Sequence, residues 1–135
     1  MTSLKKRQKA LLLALRYAGI KILILRRTYP DLQENHINDL QKMLHGFARY
    51  VDKRKVFDFP NKSIIKLGYC ASESDVLQYQ GQEYDVIFID EATQFTEYQF
   101  QTLTACLRGA NDFPKRMYLT CNPGGVGHEW VKRLF

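Results

Sequence analysis

The sequence is poor in cysteine and contains no long uninterrupted apolar run. Its three cysteines show no CxxC spacing and its three histidines complete no zinc pattern, which argues against a disulfide scaffold and a structural zinc site. Such cysteine usage is typical of a reducing compartment. The most apolar stretch, residues 10–25, is interrupted by Arg16 and Lys21 and is shorter than a membrane span requires. We therefore expect neither a transmembrane segment nor a signal peptide.

Repeats, low-complexity segments and linkers rich in serine, glycine or proline are also missing. The 135 residues suit a single domain, and 45% apolar with 25% charged residues is typical of a globular chain. The net charge of +6 conceals an asymmetry, because residues 1–66 carry +10 and residues 67–135 carry −4. A basic half suits a polyanionic partner and an acidic half suits divalent-metal chemistry, although a solvated basic face explains the charge equally well.

Apolar residues recur at helical spacing in three segments. Residues 4–17 predict a helix that Gly19 ends, with an apolar stripe formed by Leu4, Leu11, Leu12, Leu15 and Ala18. Residues 31–50 predict a second helix, whose stripe includes Phe47. Residues 96–108 predict a third, with Thr96 as its cap.

Four short runs rich in β-branched and aromatic residues predict strands, at residues 20–25, 63–70, 84–90 and 116–121. Residues 53–62 read as a basic loop before the second strand. The apolar runs are continuous rather than alternating, and helices lie between them along the chain. This pattern predicts an α/β fold with a parallel sheet covered on both faces.

Two acids, Asp90 and Glu91, stand directly after the clearest strand. In an open parallel sheet, ligands bind outside the carboxyl ends of the strands. One carboxylate there can position Mg²⁺, which binds few carboxylates together with water and substrate phosphates. A second can orient or deprotonate an attacking water. Asp90 is therefore the candidate metal ligand and Glu91 the candidate catalytic base of a Walker B arrangement, and a capped core strand is the alternative.

The last predicted strand ends in a polar segment, Thr120-Cys121-Asn122-Pro123. The Thr120 hydroxyl and the Asn122 amide stand where they could reach a γ-phosphate or a lytic water. Gly124, Gly125 and Gly127 permit a loop with open amides, a candidate phosphate nest. A plain turn is the alternative explanation of Asn-Pro-Gly-Gly, and for this segment alone it is the favoured one.

Three segments, in this order, resemble the ATPase domain of the large terminase subunit of tailed bacteriophages. They are KILILRRTYPDL, YDVIFIDEATQF and YLTCNPGGVGHEWVKRLF. The resemblance covers nearly the whole chain and implies that residues 1–135 are a partial P-loop NTPase domain of the RecA-like (ASCE) type. The family packages viral DNA into a preformed capsid, with ATP hydrolysis in an N-terminal domain and a nuclease in a C-terminal one.

The resemblance also implies cofactors and roles for particular residues. Mg²⁺ and ATP are the implied cofactors, with Asp90 as the Mg²⁺ ligand and Glu91 as the catalytic base. Thr120 and Asn122 fall in the segment that the family uses to couple hydrolysis to motion. Trp130, in the same matching stretch, is predicted to pack in the core.

Arg26 and Arg27, at the end of the first predicted strand, would face nucleotide phosphates or DNA, and a solvated strand end is the alternative. The partners implied by the resemblance are double-stranded DNA, the small terminase subunit and the portal protein. The implied location is the cytoplasm of a bacterial host, and no membrane partner is expected.

A phosphate-binding P-loop is not found in the sequence, because no Gly-Lys dipeptide occurs in it. Gln80 also stands where many relatives carry an arginine proposed as an arginine finger. The resemblance is therefore to a fragment of the ATPase domain without the P-loop strand and without the nuclease domain. We expect this chain alone to hydrolyse ATP negligibly, because most contacts to the triphosphate would be missing.

Two alternative functions remain open. Another RecA-like ATPase, such as a helicase core, is compatible with Asp90-Glu91-Ala92-Thr93, although the segment after Asn122 is not expected of a helicase. A non-enzymatic DNA-binding module is compatible with the basic half. That alternative requires Lys53, Arg54, Lys55 and Lys62 to form one patch.

Overall fold

The computed structural model describes residues 3–121 and 125–134. In these ranges six strands form one sheet, in the spatial order β2-β3-β4-β1-β5-β6. Their bounds are β1 Lys21–Arg26, β2 Arg49–Val51, β3 Val56–Asp58, β4 Ile64–Tyr69, β5 Val86–Ile89 and β6 Arg116–Leu119. Strands β4, β1, β5 and β6 run parallel, while β3 and β2 extend the sheet in antiparallel fashion. The predicted α/β fold is confirmed.

Helices lie on both faces of this sheet. The described α-helical segments are α1 Ser3–Arg16, α2 Tyr29–Leu32, α3 Asn38–Met43, α4 Glu97–Thr104 and α5 His128–Leu134. A π-helical segment, Gln33–Ile37, joins α2 to α3, and 3₁₀ segments span Glu73–Tyr79 and Ala92–Gln94. Among the described residues, none of the helices has the length and apolar character that crossing a membrane requires.

The core consists of two apolar layers, one on each face of the sheet. Strand β1 is central, and its alternate residues point to opposite layers: Ile22 and Ile24 pack with α1, α2 and α3, and Leu23 and Leu25 pack with α4 and α5. In the second layer Tyr79 lies directly over Gly68 of β4. A β-carbon there would come within 2.8 Å of the Tyr79 ring carbon Cζ, so this position requires glycine.

The buried face of α1 differs from the predicted stripe. Leu12 and Leu15 are 65% and 43% exposed, whereas Ala10 and Ala14 are completely buried. Alanine carries almost no side chain, so this face lets the helix backbone lie close to β1. The prediction from leucine spacing was wrong because it placed the most hydrophobic side chains against the sheet. The helix instead packs close to the sheet through its small alanine side chains.

The second predicted helix begins near the expected position, but it ends before residue 50, where the prediction placed its end. Helix α3 ends at Met43, the chain turns through Gly46 with a φ of 87°, and β2 begins at Arg49. A left-handed φ is one that glycine adopts without steric cost, so Gly46 permits the reversal. Phe47, assigned to the apolar stripe, is 51% exposed. The third predicted helix likewise ends early, at Thr104 rather than at residue 108.

The basic segment at residues 53–62 is not a simple loop, because it contains β3. This strand pairs with β4, for example through Val56 and Lys66, and Val56 is buried. Lys53, Arg54 and Lys55 lie in the turn before β3, while Lys62 lies in the turn after it. The four cations are therefore divided between the two ends of β3, whereas the DNA-binding alternative requires them to form one patch.

Candidate functional site

The parallel register brings three predicted polar residues together at the carboxyl edge of the sheet. In the pairing of β1 with β5 and of β5 with β6, the last paired residues are Leu25, Ile89 and Leu119. The residues that directly follow these three in the sequence are Arg26, Asp90 and Thr120. Backbone bonds hold the register at this point, since the Asp90 N–H donates to the Leu25 carbonyl at 2.9 Å and the Thr120 N–H to the Ile89 carbonyl at 3.1 Å.

Asp90 is the centre of this cluster, and its side chain is only 3% exposed. The Thr120 hydroxyl donates to Asp90 Oδ1 at 2.5 Å, and the Arg26 guanidinium donates to Oδ2. His36 Nε2 lies 2.9 Å from Oδ2, and Lys6 Nζ lies 3.7 Å from Oδ1. A carboxylate offers about four lone-pair sites. Three of these groups are within hydrogen-bond distance and Lys6 adds an ion pair, so both carboxylate oxygens of Asp90 are engaged.

Glu91 points away from this enclosed position. Its backbone is left-handed, with φ 54° and ψ 57°, a conformation that costs a non-glycine residue on the order of 1–3 kcal/mol. Its N–H donates to Thr120 Oγ1 at 3.0 Å, and Arg26 donates to its Oε1 at 3.1 Å. With the side chain 34% exposed, Glu91 is accessible to water while Asp90 is not.

Lys6 enters the cluster from α1 and was not predicted. The side chain is completely buried, and its Nζ donates to the Ile89 carbonyl at 2.6 Å and to Thr120 Oγ1 at 3.0 Å. Burial lowers the pKa of Lys6 to about 8, because the loss of hydration outweighs the attraction of Asp90. The ammonium group therefore keeps most of its charge at pH 7.

His36 lies in the π-helical segment and is also completely buried. Burial lowers the pKa of His36 despite its hydrogen bond with Asp90, so the ring is neutral at pH 7. Arg7 NH1 approaches the ring Nδ1 at 3.4 Å, which assigns the proton to Nε2, and Nε2 donates to Asp90 Oδ2. Arg7 also pairs with Asp39 at 3.0 Å, so the histidine is held between α1 and α3.

Two other sequence candidates have different surroundings. Arg27 donates to the carbonyl of Cys70, just beyond β4, rather than joining the Asp90 cluster. The Gly127 N–H donates to the Thr93 carbonyl, so it is not an open amide for a phosphate nest. Trp130 is 4% exposed and donates to the Phe95 carbonyl at 2.8 Å, which confirms its packing role.

Asn122 and Gly124 lie outside the described residues. Their predicted roles in coupling and in a phosphate-binding loop therefore stay predictions.

A Mg²⁺ ion bound directly to Asp90 does not fit this arrangement. Both oxygens of Asp90 already accept from other groups, and the ammonium of Lys6 and the guanidinium of Arg26 repel a divalent cation. Within residues 3–121 and 125–134, no group of three His, Cys, Asp or Glu side chains is placed to hold a metal ion. Direct coordination would require at least one of the present partners of Asp90 to leave.

Sequence reasoning found Arg26, Asp90, Glu91 and Thr120, since each follows or ends a recognisable strand. It missed Lys6, Arg7 and His36, which come from helices that are distant in sequence. A signal for Lys6 does exist: at helical spacing it shares a face with Ala10 and Ala14, both completely buried. A lysine on a small-residue face is a candidate for a buried charge.

Solved structures of other proteins share this fold. The most similar solved structures include the large terminase of a thermophilic bacteriophage, with a TM-score of 0.74, 21% identity, and coverage of 96% of this chain and 32% of that chain. The same protein in complex with ATP-γ-S gives a TM-score of 0.68 at 19% identity, with coverage of 95% of this chain and 32% of that chain. Its complex with ADP gives 0.69 at 20% identity, covering 95% of this chain and 33% of that chain. The fold is that of these terminases.

The family model for the phage terminase large subunit matches residues 1–135. The chain therefore belongs to the phage terminase large subunit family, and it spans about a third of the length of the terminases to which it is similar. The comparison with curated proteins found no match.

Proposed function

We propose that this chain forms part of the ATP-hydrolysing motor that packages phage DNA, as a segment of its ATPase domain. The observation that carries the proposal is the convergence of Arg26, Asp90, Glu91 and Thr120 at the carboxyl ends of adjacent parallel strands, in a chain that matches the family model throughout. The complexes of the thermophilic phage terminase with ATP-γ-S and ADP support nucleotide as the ligand.

Glu91 is the group proposed to orient and deprotonate the attacking water. Its side chain is partly exposed, while Arg26 holds one of its oxygens at 3.1 Å and limits its rotation. Asp90 is the proposed second acid of the Walker B pair, and it anchors Arg26 and Thr120. No step is assigned to Mg²⁺, because Asp90 offers it no free oxygen in this arrangement.

Thr120 is proposed to connect strand β6 to both acids. Its hydroxyl donates to Asp90 Oδ1 and accepts from the Glu91 N–H and the Lys6 ammonium. A displacement of β6 therefore changes the surroundings of Asp90 and Glu91 together. This is the coupling role proposed for Thr120, and Asn122 is proposed to share it.

Double-stranded DNA is the proposed macromolecular partner, with the small terminase subunit and the portal protein as further partners in the host cytoplasm. The turn before β3 is the surface proposed to contact DNA. It exposes Lys53 and Arg54, and the Arg54 side chain is 60% exposed. The ion pair of Arg54 with Asp58 lies at the surface and contributes little, so the guanidinium is available to a phosphate.

A chimera tests the ATPase proposal. The matching segment of the thermophilic phage terminase is replaced by this chain, and ATP hydrolysis is measured. The chimera is expected to hydrolyse ATP, and Glu91→Gln is expected to reduce turnover at least about 100-fold, because general-base catalysis contributes that much. Glu83→Gln, which changes an exposed acid, serves as the matched control and should leave turnover unchanged.

A chimera that folds and binds ATP without turning it over would contradict the proposal, as would a Glu91→Gln chimera with full activity. The unmodified 135-residue chain is expected to give only background hydrolysis, because no Gly-Lys phosphate-binding motif occurs in it. Turnover by the chain alone that disappears in Glu91→Gln would overturn this expectation.

A further inference from the structure

The nitrogen of Lys6 occupies a position lined by oxygen atoms. It lies 2.6 Å from the Ile89 carbonyl, 3.0 Å from Thr120 Oγ1 and 3.7 Å from Asp90 Oδ1. A backbone carbonyl, a hydroxyl and a carboxylate are the oxygen ligands that hard divalent cations take in proteins. The ammonium group thus stands where the surrounding chemistry favours a cation.

Complete burial is unusual for a lysine side chain such as that of Lys6. Lysine is almost never fully buried unless it is paired, because removing its charge from water is costly. Here the side chain is completely buried, and the buried Ala10 and Ala14 on the same face bring α1 close to the sheet. The position of α1 therefore determines whether the ammonium reaches the oxygens.

We propose that the ammonium of Lys6 is the resident cation of the Asp90 carboxylate, and that it excludes a divalent cation from this site. The two cations compete for the same oxygens of Ile89, Thr120 and Asp90. If both were bound at the same time, the ammonium and the divalent cation would place a charge of +3 around one buried carboxylate. Arg26 adds a further positive charge. The proposal concerns cation binding without nucleotide, so it is tested independently of ATP hydrolysis.

The test measures Mn²⁺ binding to the purified chain by electron paramagnetic resonance at neutral pH. Lys6→Met removes the charge and keeps an unbranched apolar chain of similar length. Lys5→Met is the matched control, because Lys5 is the exposed neighbour on the same helix. The wild type and Lys5→Met are expected to bind Mn²⁺ no more tightly than Asp90→Asn. Lys6→Met is expected to bind at least tenfold more tightly.

The double variant Lys6→Met/Asp90→Asn locates the site and is expected to lose the added affinity. Equal Mn²⁺ affinity in the wild type and Lys6→Met would overturn the proposal. So would tighter binding by Lys6→Met that survives in the double variant, because the metal would then bind elsewhere.

A second measurement on the wild-type chain keeps the proposal testable if Lys6→Met does not fold. Acetylation by acetic anhydride is followed by peptide mass spectrometry. Lys6 is expected to react at least tenfold more slowly than Lys5, and Mn²⁺ is expected to leave the rate of Lys6 unchanged, because the ammonium excludes the metal ion. A Lys6 that reacts as fast as Lys5, or a Lys6 rate that Mn²⁺ raises, would contradict the proposal.

Discussion

At the residue scale, the two adjacent acids of the site have different properties because their backbones differ. Asp90 continues the line of β5 and is enclosed by four groups, whereas the left-handed backbone of Glu91 directs its side chain toward water. Adjacent carboxylates with separate surroundings can take separate roles. One acid organises the site and the other is available to a reacting water.

The cysteines provide a residue-scale test of the described structure. Cys70 and Cys106 are buried and Cys121 is exposed, and burial raises the pKa of Cys70 to about 12. At pH 8 the reactive thiolate is therefore a fraction of about 10⁻⁴ of Cys70. Burial raises the pKa of Cys121 as well, so this exposed thiol should react more slowly than a free peptide thiol.

We expect one thiol to react with iodoacetamide in the native chain at pH 8 and all three to react in denaturant. Peptide mapping should identify Cys121 as the native site. Rapid labelling of Cys70 in the native chain would show that the end of β4 is more open than described.

At the element scale, helix ends are determined by local side-chain chemistry where a cap is present. Thr96 begins α4: its Oγ1 accepts from the Gln99 N–H at 3.2 Å, and Gln99 Oε1 accepts from the Thr96 N–H at 2.9 Å. This reciprocal capping box satisfies two N–H groups that the helix itself leaves unpaired. The sequence predicted this start because the threonine precedes the helical pattern.

Thr96→Ala should lower the free energy of unfolding by about 1 kcal/mol, the usual loss when a threonine cap is removed. Urea denaturation measures the change. Thr102→Ala, inside the same helix, is the control and should cause no loss, because alanine has the higher helix propensity. Equal destabilisation by the two variants would mean that the cap contributes nothing specific.

At the scale of the whole molecule, the cations and the acids of the two halves lie on different strands of one sheet. The exposed cations of the first half include those of the turn before β3, whereas the acids of the second half include the pair at the carboxyl edge. Phosphate binding by exposed cations releases counterions from DNA, so its affinity falls with salt in proportion to the number of contacts.

Lys53→Glu/Arg54→Glu should weaken the binding of duplex DNA without sequence preference and reduce the salt slope by about 1 for each lost phosphate contact. Fluorescence anisotropy at several salt concentrations measures both quantities. Arg108→Glu/Lys132→Glu changes the net charge by the same amount at other exposed positions. The same loss of affinity in this control would attribute the effect to net charge rather than to the turn.

Strands β1, β4, β5 and β6, the α/β class and four of the site residues were predictable from local pattern. Each strand is a short apolar run, and Asp90 and Thr120 follow two of them directly. The antiparallel pair β2–β3 was not predictable in this way, since it is built from three-residue strands in a basic segment. Such short strands form only because β4 offers an edge to β3, which in turn pairs with β2.

The sequence by itself determined that the chain builds a mostly parallel α/β sheet with acids at a carboxyl edge, because strand and cap signals depend on residues that are neighbours in the chain. Only the tertiary structure decided that Lys6 and His36 surround Asp90. Their side chains come from α1 and the π-helical segment, 84 and 54 residues away along the chain, and their approach depends on how closely those helices pack on β1. Packing distance, which local sequence does not encode, therefore determines whether Asp90 is open to a metal ion or enclosed by cations.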